Sequence, residues 1–171
     1  TSYTQGLFFY DGQMYESTGL NGKSTFRKVD IRTGKALYRL NFDRRYFLEG
    51  SVEKDGNVYM LTWQNNVAFV YDAKTLKYKK SYSYPREGWG LTTDGKTLIA
   101  SDGSANLYFL DDDFRTARKL TVRLNGRPVN DLNELEYIDG KIWANVYLTD
   151  LIVIVNPAAG NVEATVDCSG L

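Results

Sequence analysis

Short runs of alternating apolar and polar residues fill this chain from end to end, and glycine or polar pairs interrupt each run after five to seven positions. Alternation at period two is the mark of a half-buried strand, and no stretch keeps the 3.6-residue apolar period of an amphipathic helix. Four of the interruptions are Asp-Gly pairs: Asp11-Gly12, Asp55-Gly56, Asp94-Gly95 and Asp139-Gly140, spaced 44, 39 and 45 residues apart. Asp-Gly between strand-like runs predicts a two-residue hairpin, because both central residues of a type I′ turn need positive φ. A second marker follows each hairpin at Val29-Asp30, Tyr71-Asp72, Leu110-Asp111 and Val155-Asn156, each leading into a further turn.

Each unit therefore reads as strand, Asp-Gly turn, strand, link, strand, turn, strand. In the second unit the strands are expected at Gly50–Lys54, Asn57–Trp63, Val67–Tyr71 and Tyr78–Tyr84. Four short strands in about 40–45 residues is the period of a propeller blade. The fold class expected is all-β, a β-propeller of four-stranded antiparallel blades, about four of them in residues 1–171 as a single domain. No linker or low-complexity segment divides it. Asp111-Asp112-Asp113 is the densest charge cluster, and its place on the shared turn marker reads as solvated turn acids.

Composition narrows the chemistry. Lys+Arg and Asp+Glu are both 21, so the 171-residue chain is neutral and offers no basic excess for nucleic acid or an anionic membrane. With no histidine there is no imidazole base and no His-based metal site, and one cysteine, Cys168, permits no internal disulfide. Thirteen Tyr, eight Phe and three Trp suit sheets. No run is apolar for long enough to span a membrane as a helix.

The repeat register supplies a candidate site. Six residues before each turn aspartate lie Gln5, Glu49, Gly88 and Asn133, and eight after lie Gly19, Trp63, Asp102 and Tyr147. Across a regular hairpin these positions are neighbours, so Glu49 is expected beside Trp63 and Asn133 beside Tyr147. First strands of propeller blades line the central channel, which makes Gln5, Glu49 and Asn133 a polar ring with Trp63, Trp89 and Tyr147 around it. Convergent polar groups among aromatics form a small-molecule or chain-terminus pocket. Glu49, between Leu48 and Gly50, is a lone acid that must be exposed at a strand end or sit in a cleft with its pKa displaced. Glu16 reads as structural, Arg27 and Lys28 as solvated or paired, and Asp102-Gly103-Ser104 as a turn holding the third hairpin. Glu134 and Glu136 share a face but have nothing that points to a sugar between them. A serine nucleophile has neither an elbow motif nor a histidine.

Several segments in this order resemble the plant and bacterial type of glutaminyl-peptide cyclotransferase. They are Tyr-Thr-Gln-Gly-Leu (3–7), Tyr-Glu-Ser-Thr-Gly-Leu (15–20), Phe-Leu-Glu-Gly (47–50), Leu-Thr-Trp (61–63), Glu-Gly-Trp-Gly-Leu (87–91), Ser-Asp-Gly-Ser (101–104), Leu-Asn-Glu-Leu-Glu-Tyr-Ile (132–138) and Ala-Asn-Val-Tyr-Leu-Thr-Asp (144–150). The resemblance implies a five-bladed propeller that closes the N-terminal glutamine of peptides to pyroglutamate and releases ammonia, without a metal or other cofactor. It implies Glu49 and Asn133 as catalytic groups, Gln5 as a substrate-binding residue, and Tyr3, Phe47, Trp63, Trp89 and Tyr147 as pocket walls. It also implies a monomer with a peptide substrate, in the periplasm or secreted. Phenylalanine is usual where Tyr3 stands, glycine at Leu48 and tryptophan at Tyr147. The family continues into a further blade carrying a pocket lysine, so the chain, which ends Ser169-Gly170-Leu171, is expected to be truncated before the last blade.

The reaction needs a neutral α-amine, a proton for the departing ammonia and donors to the oxyanion. Glu49 is assigned the proton shuttle, its pKa raised by apolar surroundings, and the Asn133 amide the oxyanion. The rivals are a non-catalytic propeller module binding peptide or sugar, and a metal-dependent propeller hydrolase.

Overall fold

The computed structural model describes residues 2–171, and among them there is no helix, so none is long and apolar enough to cross a membrane. The strands form four antiparallel four-stranded meanders, the blade unit of a β-propeller. They fall into two compact units, Thr1–Gly88 and Trp89–Leu171.

The first unit holds β1 (Thr4–Tyr10), β2 (Gln13–Thr18), β3 (Thr25–Val29) and β4 (Ala36–Asn41), then β5 (Leu48–Lys54), β6 (Asn57–Thr62), β7 (Val67–Asp72) and β8 (Tyr78–Ser83). Its core is aromatic: Phe8 stacks on Tyr15 at 5.1 Å, and both stack on fully buried Phe26, with Leu48, Val58, Met60 and Phe69 beside them. The second unit holds β9 (Leu91–Thr93), β10 (Leu98–Ser101), β11 (Asn106–Leu110) and β12 (Thr116–Thr121), a short ribbon of β13 (Arg123–Leu124) and β14 (Arg127–Pro128), then β15 (Leu132–Ile138), β16 (Lys141–Val146), β17 (Leu151–Val155) and β18 (Val162–Asp167). Its core is aliphatic, built on Ile99, Leu107, Leu132, Leu135, Ile142, Val153 and Val155. The last strand of each blade is mostly exposed, and Lys79, Lys80, Arg118 and Lys119 give β8 and β12 the charge that discourages edge pairing.

Three of the four Asp-Gly pairs form the expected two-residue turn, with φ of 48° and 73° at Asp11-Gly12, 51° and 80° at Asp55-Gly56, and 48° and 77° at Asp139-Gly140. The third does not. Thr93 pairs with Leu98, so Asp94 to Thr97 make a four-residue loop in which the Asp94 Oδ1 accepts from the Lys96 and Thr97 N–H groups at 2.8 and 2.7 Å. The side chain has replaced a backbone turn, and Asp94-Gly95 sits one residue earlier in its hairpin than the other pairs do. The second markers hold throughout: Asp30, Asp72, Asp111 and Asn156 each accept two downstream backbone N–H groups on Oδ1. Those bonds hold the Asp30 and Asp72 carboxyls below the usual range.

Candidate functional site

The ring positions share a backbone feature that alternation alone does not reveal. In the second blade Leu48 pairs with Thr62 and Ser51 with Met60, so Glu49 and Gly50 together oppose Leu61. Asn133 and Glu134 oppose Asn145 in the same way, and Gln5 is the extra residue between the Thr4–Thr18 and Gly6–Ser17 pairs. In the third blade Trp89 N–H donates to the Ser101 carbonyl at 3.2 Å while Ser101 N–H donates to the Gly90 carbonyl at 3.1 Å, again two residues against one. A bulge at this place in every blade turns one side chain away from the regular pleat.

The bulges correct two expectations. They slip the register, so Trp63 pairs with Phe47 rather than Glu49, its N–H donating to the Phe47 carbonyl at 3.0 Å; Tyr147 likewise pairs with Asp131 at 2.8 Å. The shifted third turn makes Trp89, not Gly88, the counterpart of Gln5, Glu49 and Asn133.

In the first unit Glu49 is only 5% exposed, and its Oε1 accepts from the Gln5 Nε2 at 3.1 Å. Burial pushes the carboxyl up to about 9, and the charge of Glu87 adds to the shift. At neutral pH the group is a carboxylic acid. Its backbone is fixed as firmly: the Ser17 hydroxyl donates to the Glu49 carbonyl at 2.5 Å and lies 3.0 Å from the Ser51 hydroxyl. The first two blades meet so closely here that a Cβ on Gly6 would stand 2.5 Å from Ser17 Oγ and 2.6 Å from Ser51 N. Leu48 N–H donates to Ser24 Oγ at 3.1 Å, and Phe47 N–H to Asn65 Oδ1 at 3.2 Å, which holds both residues before the bulge.

Aromatic rings flank the acid's strand. Phe47 meets Trp63 edge-on at 5.5 Å and Tyr3 edge-on at 6.3 Å, and a Cβ on Gly19 would fall 2.3 Å from the Phe47 ring. Trp63 Nε1 donates to Glu87 at 3.2 Å, and Gln64 Nε2 donates to the other Glu87 oxygen at 2.9 Å. Glu87 therefore orients one wall and also sets the local charge. No role for it was read from the sequence, although it opens the Glu-Gly-Trp-Gly-Leu segment; its signal is an acid beside a glycine that must pack against Leu61 and Thr62.

In the second unit the Asn133 carbonyl accepts from Ser101 Oγ at 2.6 Å, and that oxygen accepts from Gly90 N–H at 2.7 Å. The Asn133 side chain is half-buried and makes no hydrogen bond with the described residues. Trp89 meets Tyr147 edge-on at 5.5 Å and lies on Gly103, where a Cβ would stand 2.5 Å from the indole.

The remaining candidates are structural. Glu16 is buried and takes the Arg27 guanidinium and the Thr4 hydroxyl, side chains rather than backbone groups. Asp102 accepts from Ser104 N–H at 3.1 Å and from the Tyr108 hydroxyl at 3.0 Å, which fixes the link from β10 to β11. Among the described residues no three Cys, Asp or Glu side chains gather where they would hold a metal ion.

The glutaminyl-peptide cyclotransferase of Arabidopsis thaliana is 42% identical over 163 residues, covering 94% of this chain and 51% of the relative, so the chain spans about half that protein's length. The crystal structure of Myxococcus xanthus glutaminyl cyclase superposes with a TM-score of 0.92 at 31% identity, over 99% of this chain and 72% of that one. The Neurospora crassa Pan2 WD40 domain gives a TM-score of 0.65 at 11% identity over 96% of this chain and 52% of that domain, a likeness of propeller fold alone. The sequence profile described as glutamine cyclotransferase matches residues 1–171. On the strength of that full-length match and the Arabidopsis identity, the chain belongs to the glutamine cyclotransferase family.

Proposed function

We propose that the protein carrying this chain cyclises the N-terminal glutamine of peptides to pyroglutamate with release of ammonia, and that Glu49 is its proton shuttle. The observation that carries the reading is a buried carboxyl, raised to about 9 and held by Gln5, next to an aromatic wall in a chain of this family.

The chemistry follows from proton affinity. A peptide α-amine has a reference pKa of about 7.7–8.0. A carboxyl at about 9 outcompetes it for the proton the two groups share, so the amine binds neutral and nucleophilic. Its nitrogen attacks the side-chain amide carbon, forming the ring C–N bond. Glu49 gives its proton to the departing nitrogen and takes the one that the ring nitrogen sheds, so ammonia leaves and the acid is restored. The net change is one proton moved from the α-nitrogen to the leaving nitrogen. Gln5 orients the acid and the substrate amide. Tyr3, Phe47 and Trp63 exclude water and hold the side chain folded for attack. Asn133, whose amide has no partner among the described residues, is assigned to the oxyanion, and Trp89 and Tyr147 to further apolar wall. The enzyme is proposed to act as a monomer in the periplasm or outside the cell, with no metal or other cofactor.

The test is ammonia release from a glutamine-initiated peptide, with and without chelator. Glu49→Gln should lower kcat by about 10²–10⁴-fold with the fold intact by circular dichroism. Wild-type turnover by the variant removes Glu49 from the role, and loss of activity on chelation transfers the reading to a metal-dependent enzyme.

A further inference from the structure

A hollow of about 280 Å³ in the first unit lies beside the Glu49 wall and is lined by Tyr3, Thr18, Gly19, Lys23, Arg27 and Arg39 among others, with no acid in its lining. In a chain with equal numbers of acidic and basic residues, three cations around one hollow are a local excess. Arg27 and Arg39 face each other directly across β3 and β4, a like-charge pair that destabilises a sheet unless an anion joins it. Glu16 answers only one side of the Arg27 guanidinium; its Nε–H is buried and unpaired among the described residues. Lys23 and Arg39 are exposed and make no ion pair with the described residues.

The hollow is continuous with the candidate pocket through two residues. Tyr3 lines it and meets Phe47 edge-on at 6.3 Å; Gly19 lines it, backs the Phe47 ring and donates its N–H to the Tyr3 carbonyl at 2.9 Å. An extended chain advances about 3.3 Å per residue. A peptide whose first residue lies at Glu49 and which leaves across Phe47 has its third residue about 6.6 Å further along, in the direction of Tyr3 and the hollow.

We infer that this hollow is a specificity subsite that takes the side-chain carboxylate of an acidic residue at the third position of the peptide substrate. The inference rests on the cyclisation reading for the placement of the first residue. Arg39 and Lys23 supply the charge, and Thr18 and Tyr3 the neutral wall.

Two peptides, Gln-Ala-Glu-Ala amide and the isosteric Gln-Ala-Gln-Ala amide, separate charge from shape. The acidic peptide should show about tenfold higher kcat/KM at low salt, the effect of one charge-assisted hydrogen bond. The Lys23→Gln/Arg39→Gln double variant should erase that preference and leave the neutral peptide unchanged. Calorimetry with the pyroglutamyl forms of both peptides reads the subsite without turnover and should show the same preference and the same loss. Equal kcat/KM for the two peptides in the wild type, or a preference that survives in the double variant, overturns the subsite. If neither peptide is cyclised but the acidic pyroglutamyl form binds more tightly through Lys23 and Arg39, the cyclisation reading fails and the subsite stands. If neither is cyclised and neither form is preferred, both fall.

Discussion

The two compact units carry the same joint with opposite chemistry. Gly6, Ser17 and Glu49 in the first correspond to Gly90, Ser101 and Asn133 in the second at a constant offset of 84 residues. In each, a serine hydroxyl on a second strand donates to the carbonyl of the bulge residue on the next blade, and a glycine lets the two backbones meet. The side chains placed by this common frame diverge. The first unit puts a carboxyl in a buried position and gives it a glutamine amide; the second puts an amide in a half-buried position and places an indole where the glutamine was. The backbone is reused, and the reactivity is set by which side chain the bulge turns out and by how much water reaches it.

The largest expected difference between the units is therefore one of pH. A carboxyl raised to about 9 in the folded chain keeps a proton that the unfolded chain releases above about 4.5. The unfolded state then binds fewer protons, so stability falls as pH rises through that window, by about 1.4 kcal/mol per pH unit for one group. Below the window the group costs nothing. Glu49→Gln should be close to wild type in unfolding free energy at pH 4 and clearly more stable than wild type at pH 8, while losing activity. Asn133→Ala should displace stability by an equal amount at both values. A pH-independent gap for Glu49→Gln in urea titrations would mean that the carboxyl ionises freely in the fold.

Much of this was legible in the sequence because the signals are local. Asp-Gly pairs and the second turn markers depend on a few adjacent residues, so the four blades and most strand ends could be read directly, with those of the second blade within about two residues. The bulges were not legible: Gly-Ser after Glu49 alternates as well as any regular strand, and what forces the extra residue is the approach of the neighbouring blade. The consequence was a two-residue error in placing Trp63 and Tyr147, one residue from the bulge and one because the regular partner of a position six before the turn aspartate lies seven, not eight, after it. The third turn misled for a related reason, since Asp94 uses its side chain where the other three aspartates use positive φ. Glu87 escaped because its importance lies in two partners, Trp63 and Gln64, more than twenty residues away.

The glycines at the two joints allow a finer comparison. A Cβ on Gly90 would stand 2.1 Å from the Asn133 carbonyl oxygen and 2.8 Å from the Glu134 Cα, both backbone atoms with nowhere to go. A Cβ on Gly6 meets the Ser17 hydroxyl first, and that group can turn away, although Ser51 N at 2.6 Å cannot. Both Gly→Ala changes should cost about 3 kcal/mol, with Gly90→Ala the worse of the two. Thermal melts of the two variants decide it, and a milder loss for Gly90→Ala would contradict the backbone clash.

The smallest effect separates the serines. Ser101 Oγ serves two backbone groups, accepting from Gly90 N–H at 2.7 Å and donating to the Asn133 carbonyl at 2.6 Å. Ser17 Oγ serves one, the Glu49 carbonyl, and its other neighbour is the rotatable Ser51 hydroxyl. A buried backbone group left without its partner costs about 1–3 kcal/mol. Ser101→Ala strands two such groups and Ser17→Ala one, so the first should lose about 2 kcal/mol and the second about 1 in chemical denaturation. Ser17→Ala should also loosen the bulge that presents Glu49 and so lower kcat for glutamine cyclisation more than its stability loss suggests. Equal stability losses would show that the Gly90 N–H finds another acceptor, and unchanged turnover in Ser17→Ala would show that the Glu49 side chain is held by Gln5 and its burial without help from its own carbonyl.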